Sequence, residues 1–254
     1  MSTLLDHPME LFVIFLILLW LSAQIGAYVR RKRQSLEEAD REDLGVILTA
    51  TLTLLGLIIG FSFSMAVTRY DQRKNYEEAE ANAIGTEYLR AGLLPDADVT
   101  KVRKLLKDYL DQRILFYTTS NEQQLDQINI STAKLQNELW SSIQAVAAAT
   151  PTPTVALAAQ GMNDVLNSQG YTQAAWWNRI PDAAWGLMAA IAICCNVMVG
   201  FNARRIEAKP RRFFILPLVV AISFFLIADL DAPRGGVILV KPQNLESLST
   251  SMPR

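Results

Sequence analysis

The stretch GLIIGFSFSMAVTRYDQRK, residues 56–74, begins as strongly apolar sequence and ends in a run of charges. Gly56, Gly60 and Ser64 are spaced four residues apart and therefore lie on one face of a helix. In lipid, small residues let helix backbones approach closely, because packing and interhelical hydrogen bonds replace the hydrophobic drive that acts in water. The spacing favours helix packing, and the lining of a pore is the other interpretation.

Four uncharged apolar blocks surround this stretch. The chain has 254 residues, 51% of them hydrophobic, and a formal net charge of -1. The uncharged blocks are residues 11–29, 44–68, 183–203 and 213–228. A helix needs about 20 residues to cross the ~30 Å hydrocarbon core of a bilayer. The blocks therefore predict four membrane spans, with the fourth extending to about residue 230.

These spans divide the chain into four parts. We expect transmembrane hairpins at 1–68 and 181–230, a helical extramembrane domain at 69–180, and a C-terminal tail at 231–254 that is loose beyond an ordered start. No stretch has convincing strand alternation. The predicted fold class is an all-α, polytopic membrane protein with four transmembrane helices and a helical bundle between the second and third spans.

Helical periodicity runs through most of the bundle. One face through Tyr76, Ala79, Ala83, Thr86 and Leu93 continues from the second span. Residues 44–93 are therefore expected to form one helix about 75 Å long.

Further helices follow in the bundle. One is predicted over 99–119, and the next is expected to begin at a capping box, Ser120 to Gln123, and to continue as a heptad seam. Thr152 and Pro153 can start a further helix, which Gly170 interrupts.

The sequence gathers no catalytic groups in one place. Its single histidine is His7, and it has no Gly-rich phosphate loop, no His-Glu-x-x-His and no cysteine cluster. Adjacent acids such as Glu77 and Glu78 are splayed on a helix and are interpreted as solvated. We therefore expect no enzyme, no cofactor, no metal and no nucleic-acid partner.

Charged residues at the span ends are the remaining candidates. Asp229 and Asp231 close the fourth span, where they could bind a cation or pair with Arg234. Two carboxylates are few for calcium, which takes 6–8 oxygen ligands in general. Arg69, at the end of the second span, could contact an anion or reach the membrane interface.

Basic residues in short loops indicate the cytoplasmic side of a membrane protein. Ten of them follow the first span or connect the third to the fourth, against six near the span ends on the other side. The ten are Arg30, Arg31, Lys32, Arg33, Arg41, Arg204, Arg205, Lys209, Arg211 and Arg212. The count favours both termini and the bundle outside the cytoplasm, and four spans place the termini on one side.

The segment GFSFSMAVTRY, residues 60–70, is similar to the second transmembrane helix of the bestrophin anion channels. That helix carries Gly-Phe, then five residues, then Val-Thr-Arg and an aromatic residue. The matching residues here are Gly60, Phe61, Val67, Thr68, Arg69 and Tyr70.

This resemblance implies a pentameric channel for chloride or another small anion. The neck of such a channel is lined by large apolar residues on this helix. Its large domain lies in the cytosol, whereas the charge count favours a position outside the cytoplasm. Phe61 takes the last neck position and Leu57 the one before it. The first falls on Thr53, which is not a bulky apolar residue.

Longer segments at 60–73, 80–95 and 226–240 resemble the bacterial bestrophin-like family over the whole chain. The resemblance implies a homo-oligomer in the bacterial inner membrane, possessing a second span that lines an anion pore. A membrane-anchored helical scaffold or sensor without transport activity stays open as the alternative, because the heptad seam and the long helix conduct nothing by themselves.

Overall fold

The computed structural model describes residues 6–32, 38–202 and 214–252, and all regular structure within them is helical. The all-α prediction is therefore confirmed for these residues. Eight α-helices lie there: α1 Pro8–Lys32, α2 Glu38–Arg90, α3 Asp96–Thr118, α4 Glu122–Ala149, α5 Pro153–Trp177, α6 Asp182–Phe201, α7 Ile215–Asp231 and α8 Gln243–Ser251. A 3-10 turn, Ala91–Leu93, follows α2.

Some sequence-based predictions fall outside the described residues. Six of the counted basic residues do so, as do residue 203 at the end of the predicted third span and residue 213 at the start of the fourth. The six are Arg33, Arg204, Arg205, Lys209, Arg211 and Arg212.

Three stretches of the described chain are long and apolar enough to cross a membrane: Pro8–Lys32, Arg41–Leu93 and Pro153–Phe201. The helix at the predicted fourth span, α7, has 17 residues. This is shorter than the usual span of about 20 residues. The count of four spans therefore stays a prediction.

The chain divides into two compact units: Met1–Arg69 with Arg179–Leu239, and Tyr70–Asn178 with Val240–Arg254. We call these unit 1 and unit 2 and describe each by itself.

In unit 1, α1 packs against α6 and α7. The contact with α6 depends on two glycines that the sequence analysis did not single out. A Cβ atom on Gly26 would overlap the backbone carbonyl of Val197, and one on Gly200 would overlap that of Ala23. The two backbones therefore meet directly, as small residues allow in membrane helix pairs.

In unit 2, α3, α4 and α5 bury the apolar positions that their periodicity indicated. The seam of α4 buries Ile128, Leu139 and Val146, and α5 buries Val155 and Met162. These side chains belong to one apolar core. The heptad seam predicted for the helix after the capping box, α4, is therefore confirmed.

Two local predictions in unit 2 were wrong. The cap of α4 is Asn121, whose side chain accepts a hydrogen bond from the Gln124 backbone N–H at 3.1 Å, and not Ser120. Asparagine caps a helix about as well as serine, so the two were hard to separate by sequence. Helix α5 runs through Gly170. An interior glycine costs about 1 kcal/mol, which buried neighbours such as Thr172 can offset.

Helix α2 is continuous from Glu38 to Arg90, as predicted, but the face that it buries in unit 2 is not the apolar one. Ala79, Thr86 and Leu93 are exposed. The buried positions of α2 in unit 2 are instead Arg73, Glu77, Glu80, Ala81, Ile84 and Glu87. The interpretation of Glu77 as solvated was therefore wrong, because partners distant in sequence surround it.

Part of the predicted loose tail is the ordered helix α8. Its Leu245 is fully buried, and the backbone N–H groups of Asn244 and Leu245 donate to Glu77 Oε1 at 2.9 and 3.0 Å. A carboxylate at the start of a helix satisfies N–H groups that have no partner within the helix. Glu77 therefore caps α8.

Candidate functional site

The apolar part of α2 is largely uncovered by its own chain. Only 6% of its most apolar 18-residue window is buried, against 28% for the window in α1. In the whole uncharged stretch of α2, residues 44–68, the buried positions are Leu55, Ser62 and Ala66. At about 100° of rotation per residue, these three fall within roughly 20° of one direction.

The neck candidates project to the opposite side of α2. By the same rotation, Thr53, Leu57 and Phe61 point roughly 160° to 240° away from the buried face. Leu57 is 55% exposed and Phe61 64% exposed. The Thr53 hydroxyl donates to the carbonyl oxygen of Thr49 at 2.9 Å, so its hydrogen is used within the helix. The structure thus places all three on one outward surface.

The small residues predicted to pack helices lie beside this surface. Apart from the local backbone of α2 itself, no atom of the described chain comes within 4 Å of the positions that Cβ atoms on Gly56 and Gly60 would take. Ser64 is exposed. Within the described chain these residues therefore have no packing partner, in contrast to Gly26 and Gly200. A helix packed on them would belong to another chain, and this role stays a prediction.

At the end of the last predicted span, Asp231 is a buried acceptor. Both of its carboxylate oxygens accept from the backbone N–H of Ile180 at 3.1 Å. Arg69 Nη1 lies 3.9 Å from one oxygen and Arg179 Nε lies 3.8 Å from the other. Arg179 also contacts Asp6 at 2.6 Å. Arg69 therefore faces a carboxylate, which offsets the positive charge that an anion would need.

Asp229 serves the loop after α7. It is buried and accepts from the backbone N–H groups of Val237 at 2.6 Å and Ile238 at 2.8 Å. A Cβ atom on Gly236 would lie 2.7 Å from the Asp229 carbonyl oxygen, so the loop requires a residue without a side chain there. Arg234 lies in the same loop and is partly exposed. This geometry indicates a structural role for the Asp229 carboxylate.

Sequence reasoning missed a buried ionic network in unit 2. Arg113 Nε donates to Glu80 Oε1 at 2.5 Å, and both side chains are fully buried. Thr172 and Tyr117 donate to the other oxygen of Glu80 at 3.1 and 3.4 Å. Burial raises the pKa of Tyr117, and the charge of Glu80 raises it further, so the phenol remains a donor. The sequence held one signal for this network: the charged residues Arg73, Glu77, Glu80 and Glu87 have the heptad spacing of one helix face.

The helical fold of the described residues and the exposed span of α2 define the class of this protein: it has apolar helices suited to a membrane. A family model, the Bestrophin-like domain, matches residues 13–245. The chain belongs to the Bestrophin-like domain family, and it is a membrane protein.

Solved structures agree with this fold. The crystal structure of a bacterial bestrophin homologue from Klebsiella pneumoniae, solved by Zn-SAD phasing, is 14% identical, with a TM-score of 0.64 over 95% of this chain and 99% of that one. A single-substitution variant of a Klebsiella pneumoniae homologue is 14% identical, with a TM-score of 0.65 over the same shares. No curated protein matches the chain. At this identity the likeness establishes the fold.

Proposed function

We propose that this protein is a homo-oligomeric anion channel of the bacterial inner membrane, with α2 lining the pore and chloride as the expected ion. The observation that carries the proposal is the outward surface of α2, where Thr53, Leu57 and Phe61 lie opposite the face that the chain buries. A stripe of threonine, glycine and serine beside it is typical of contact between helices and not of contact with lipid.

The surface suits a constriction. Copies of α2 arranged around an axis would bring Leu57 and Phe61 together as apolar rings, which control ion flow by excluding water. Gly56, Gly60 and Ser64 would then allow close approach of neighbouring copies. Thr53 would make the first ring smaller and more polar than the other two. By family resemblance the assembly is a pentamer.

The proposed topology has four spans with both termini on one side. Helix α7, with 17 residues, has a length of about 26 Å, close to the ~30 Å of the hydrocarbon core. The charge count predicts termini outside the cytoplasm, and the family resemblance predicts the opposite. A reporter enzyme that is active only outside the cytoplasm can be fused to the C-terminus. Its activity will distinguish the two predicted orientations.

The channel proposal is tested by chloride efflux from liposomes that contain the purified full-length protein. Phe61→Ala is expected to raise the efflux rate several-fold, because it widens the apolar ring. The matched control is Phe63→Ala, since Phe63 is also exposed but lies about 160° around the helix from Phe61. An unchanged rate in Phe61→Ala contradicts the assignment of the ring. Liposomes that hold folded oligomers and stay silent contradict conduction itself and favour a scaffold.

A further inference from the structure

Glu87 is a buried acid whose position the channel proposal does not use. Its side chain is fully buried, and neither carboxylate oxygen has a hydrogen-bond partner among the described residues. Two other acids on the same face of α2 are equally buried, but Glu77 accepts from Asn244 and Glu80 from Arg113. Glu87 therefore differs from them in what surrounds it and not in how deeply it lies.

Helix α5 has a glycine, Gly161, where it meets this carboxyl group. Gly161 of α5 is buried, and a Cβ atom there would overlap Glu87 Oε2 and lie 2.5 Å from Arg90 Nη1. The Glu87 side chain thus occupies the space that a side chain on α5 would fill. The carboxyl group is held between two helices and has no room for a solvation shell.

Two charged groups act on Glu87. Arg90 follows it by three residues on α2, and Asp164 lies one turn beyond Gly161 on α5. Arg90 Nη1 lies 3.9 Å from Asp164 Oδ2, and Asp164 is half exposed. The positive charge of Arg90 is therefore shared with a competing carboxylate.

The charged groups of α3 that lie near this part of α2 are engaged elsewhere. Arg103 Nε donates to the Tyr88 carbonyl oxygen at 3.2 Å, and its guanidinium lies 5.0 Å from the centre of the Tyr88 ring. Lys107 Nζ lies 5.9 Å from the centre of the same ring. The charges that act on Glu87 are those of Arg90 on α2 and Asp164 on α5.

An ionised carboxylate without hydrogen bonds is costly to bury, so the neutral form is favoured here. Burial raises the pKa of Glu87 to about 8, Arg90 lowers it and Asp164 raises it. The neutral form therefore predominates at neutral pH. The positive charge of Arg90 therefore does not return the pKa of Glu87 to the ordinary range of a carboxyl group.

We propose that Glu87 is a proton-controlled contact between the end of α2 and α5. The neutral carboxyl group packs against Gly161, and ionisation opens this contact so that water reaches the carboxylate. The proposal concerns unit 2 alone and holds whether or not the protein conducts ions.

The direction of the pH effect follows from linkage. In the closed state Glu87 keeps its proton up to about pH 8, whereas in an open state it loses the proton near the ordinary carboxyl pKa of about 4.5. The closed state therefore binds more protons between these values, and its stability falls as the pH rises. The open population should increase about tenfold per pH unit in this window and level off above about pH 8.

Hydrogen–deuterium exchange of the full-length protein in detergent or nanodiscs tests this. The readout is the protection of α5, residues 153–177, from pH 5.5 to 9 after correction for intrinsic exchange. Wild type should lose protection up to about pH 8. Glu87→Gln should show no such dependence. Glu78→Gln is the matched control, because Glu78 is exposed on the same helix, and it should behave as wild type.

A second variant, Glu87→Met, removes the ionisable group without adding a buried amide. Loss of the pH dependence in either folded variant supports the proposal. It is overturned when wild type has a flat profile, when a folded Glu87 variant keeps the wild-type slope, or when neither variant folds, since an uncharged side chain of similar length should fit this site.

Discussion

Removal of Arg113 should destabilise unit 2 strongly. Arg113 Nε and Glu80 Oε1 are 2.5 Å apart, and both side chains are fully buried. Arg113→Met keeps much of the length of the side chain and removes its charge. It leaves Glu80 with hydrogen bonds only from the hydroxyl groups of Thr172 and Tyr117 among the described residues. Breaking a buried ion pair on one side costs about 3–5 kcal/mol.

The expected loss for Arg113→Met is in the upper half of that range. Glu80 would keep two neutral donors and lose the charged one, and charge-assisted hydrogen bonds are roughly twice as strong as neutral ones. The same substitution also removes the guanidinium that lies 4.4 Å from the centre of the Phe116 ring. Both losses act in the same direction.

The measurement is the unfolding free energy of the full-length protein in detergent, for Arg113→Met, Glu80→Met and the double variant. The double variant should lose less than the sum of the single ones, because it leaves no buried charge without a partner. A loss under about 1 kcal/mol in Arg113→Met would refute the reasoning, as would strict additivity, since either result means that water reaches the pair.

Two further predictions concern other contacts. Gly200→Leu should prevent the folding of unit 1, because any Cβ atom there overlaps the Ala23 carbonyl. Gly186→Leu is the control and should fold, because a Cβ atom there meets no atom within 4 Å beyond the local helix backbone. Size-exclusion profiles in detergent will show the difference. Glu77→Ala should weaken the docking of α8 by about 1–3 kcal/mol, the cost of leaving its N–H groups unsatisfied, and so raise hydrogen exchange in residues 243–251. Protected α8 amides in that variant would contradict the capping role.

The helices and their seams were predictable because they depend on local periodicity. Val155 and Met162 on α5, like Ile128 and Leu139 on α4, repeat at spacings that a helix places on one face. Thr152 accepts from the Val155 N–H at 3.3 Å, as its position before Pro153 indicated. Each of these features depends on residues within about three helical turns of one another.

The charged face of α2 could not be predicted in this way, because its partners are distant in sequence. Glu77 binds Asn244, 167 residues away, and Glu80 binds Arg113, 33 residues away. The three-four spacing of the charges marks one face of α2, but a single sequence does not reveal the distant partners that bury this face. Glu77 and Glu78 illustrate this, since one is 1% exposed and its neighbour faces solvent.

The residues of the candidate site came from the family resemblance, and the sequence did not indicate what surrounds them. Thr53, Leu57 and Phe61 are spaced four residues apart, and the structure finds them opposite the buried positions of α2. A helix that is apolar on all sides carries no periodic signal for which side meets lipid, a neighbour or an axis. That choice depends on contacts between chains, which the sequence of one chain does not encode by its periodicity.

The buried acids of α2 also bear on the register at which α2 packs in unit 2. An apolar seam such as that of α4 specifies register less strictly, because the hydrophobic effect is non-directional. A shift of α2 by one turn would move Glu80 away from Arg113 and Glu77 away from the start of α8, leaving buried charges unpaired. Each unpaired charge costs about 3–5 kcal/mol. Two such losses are comparable to the whole stability of a domain, about 5–15 kcal/mol. The register of α2 is therefore set by its charges, and its apolar residues alone would leave it undetermined.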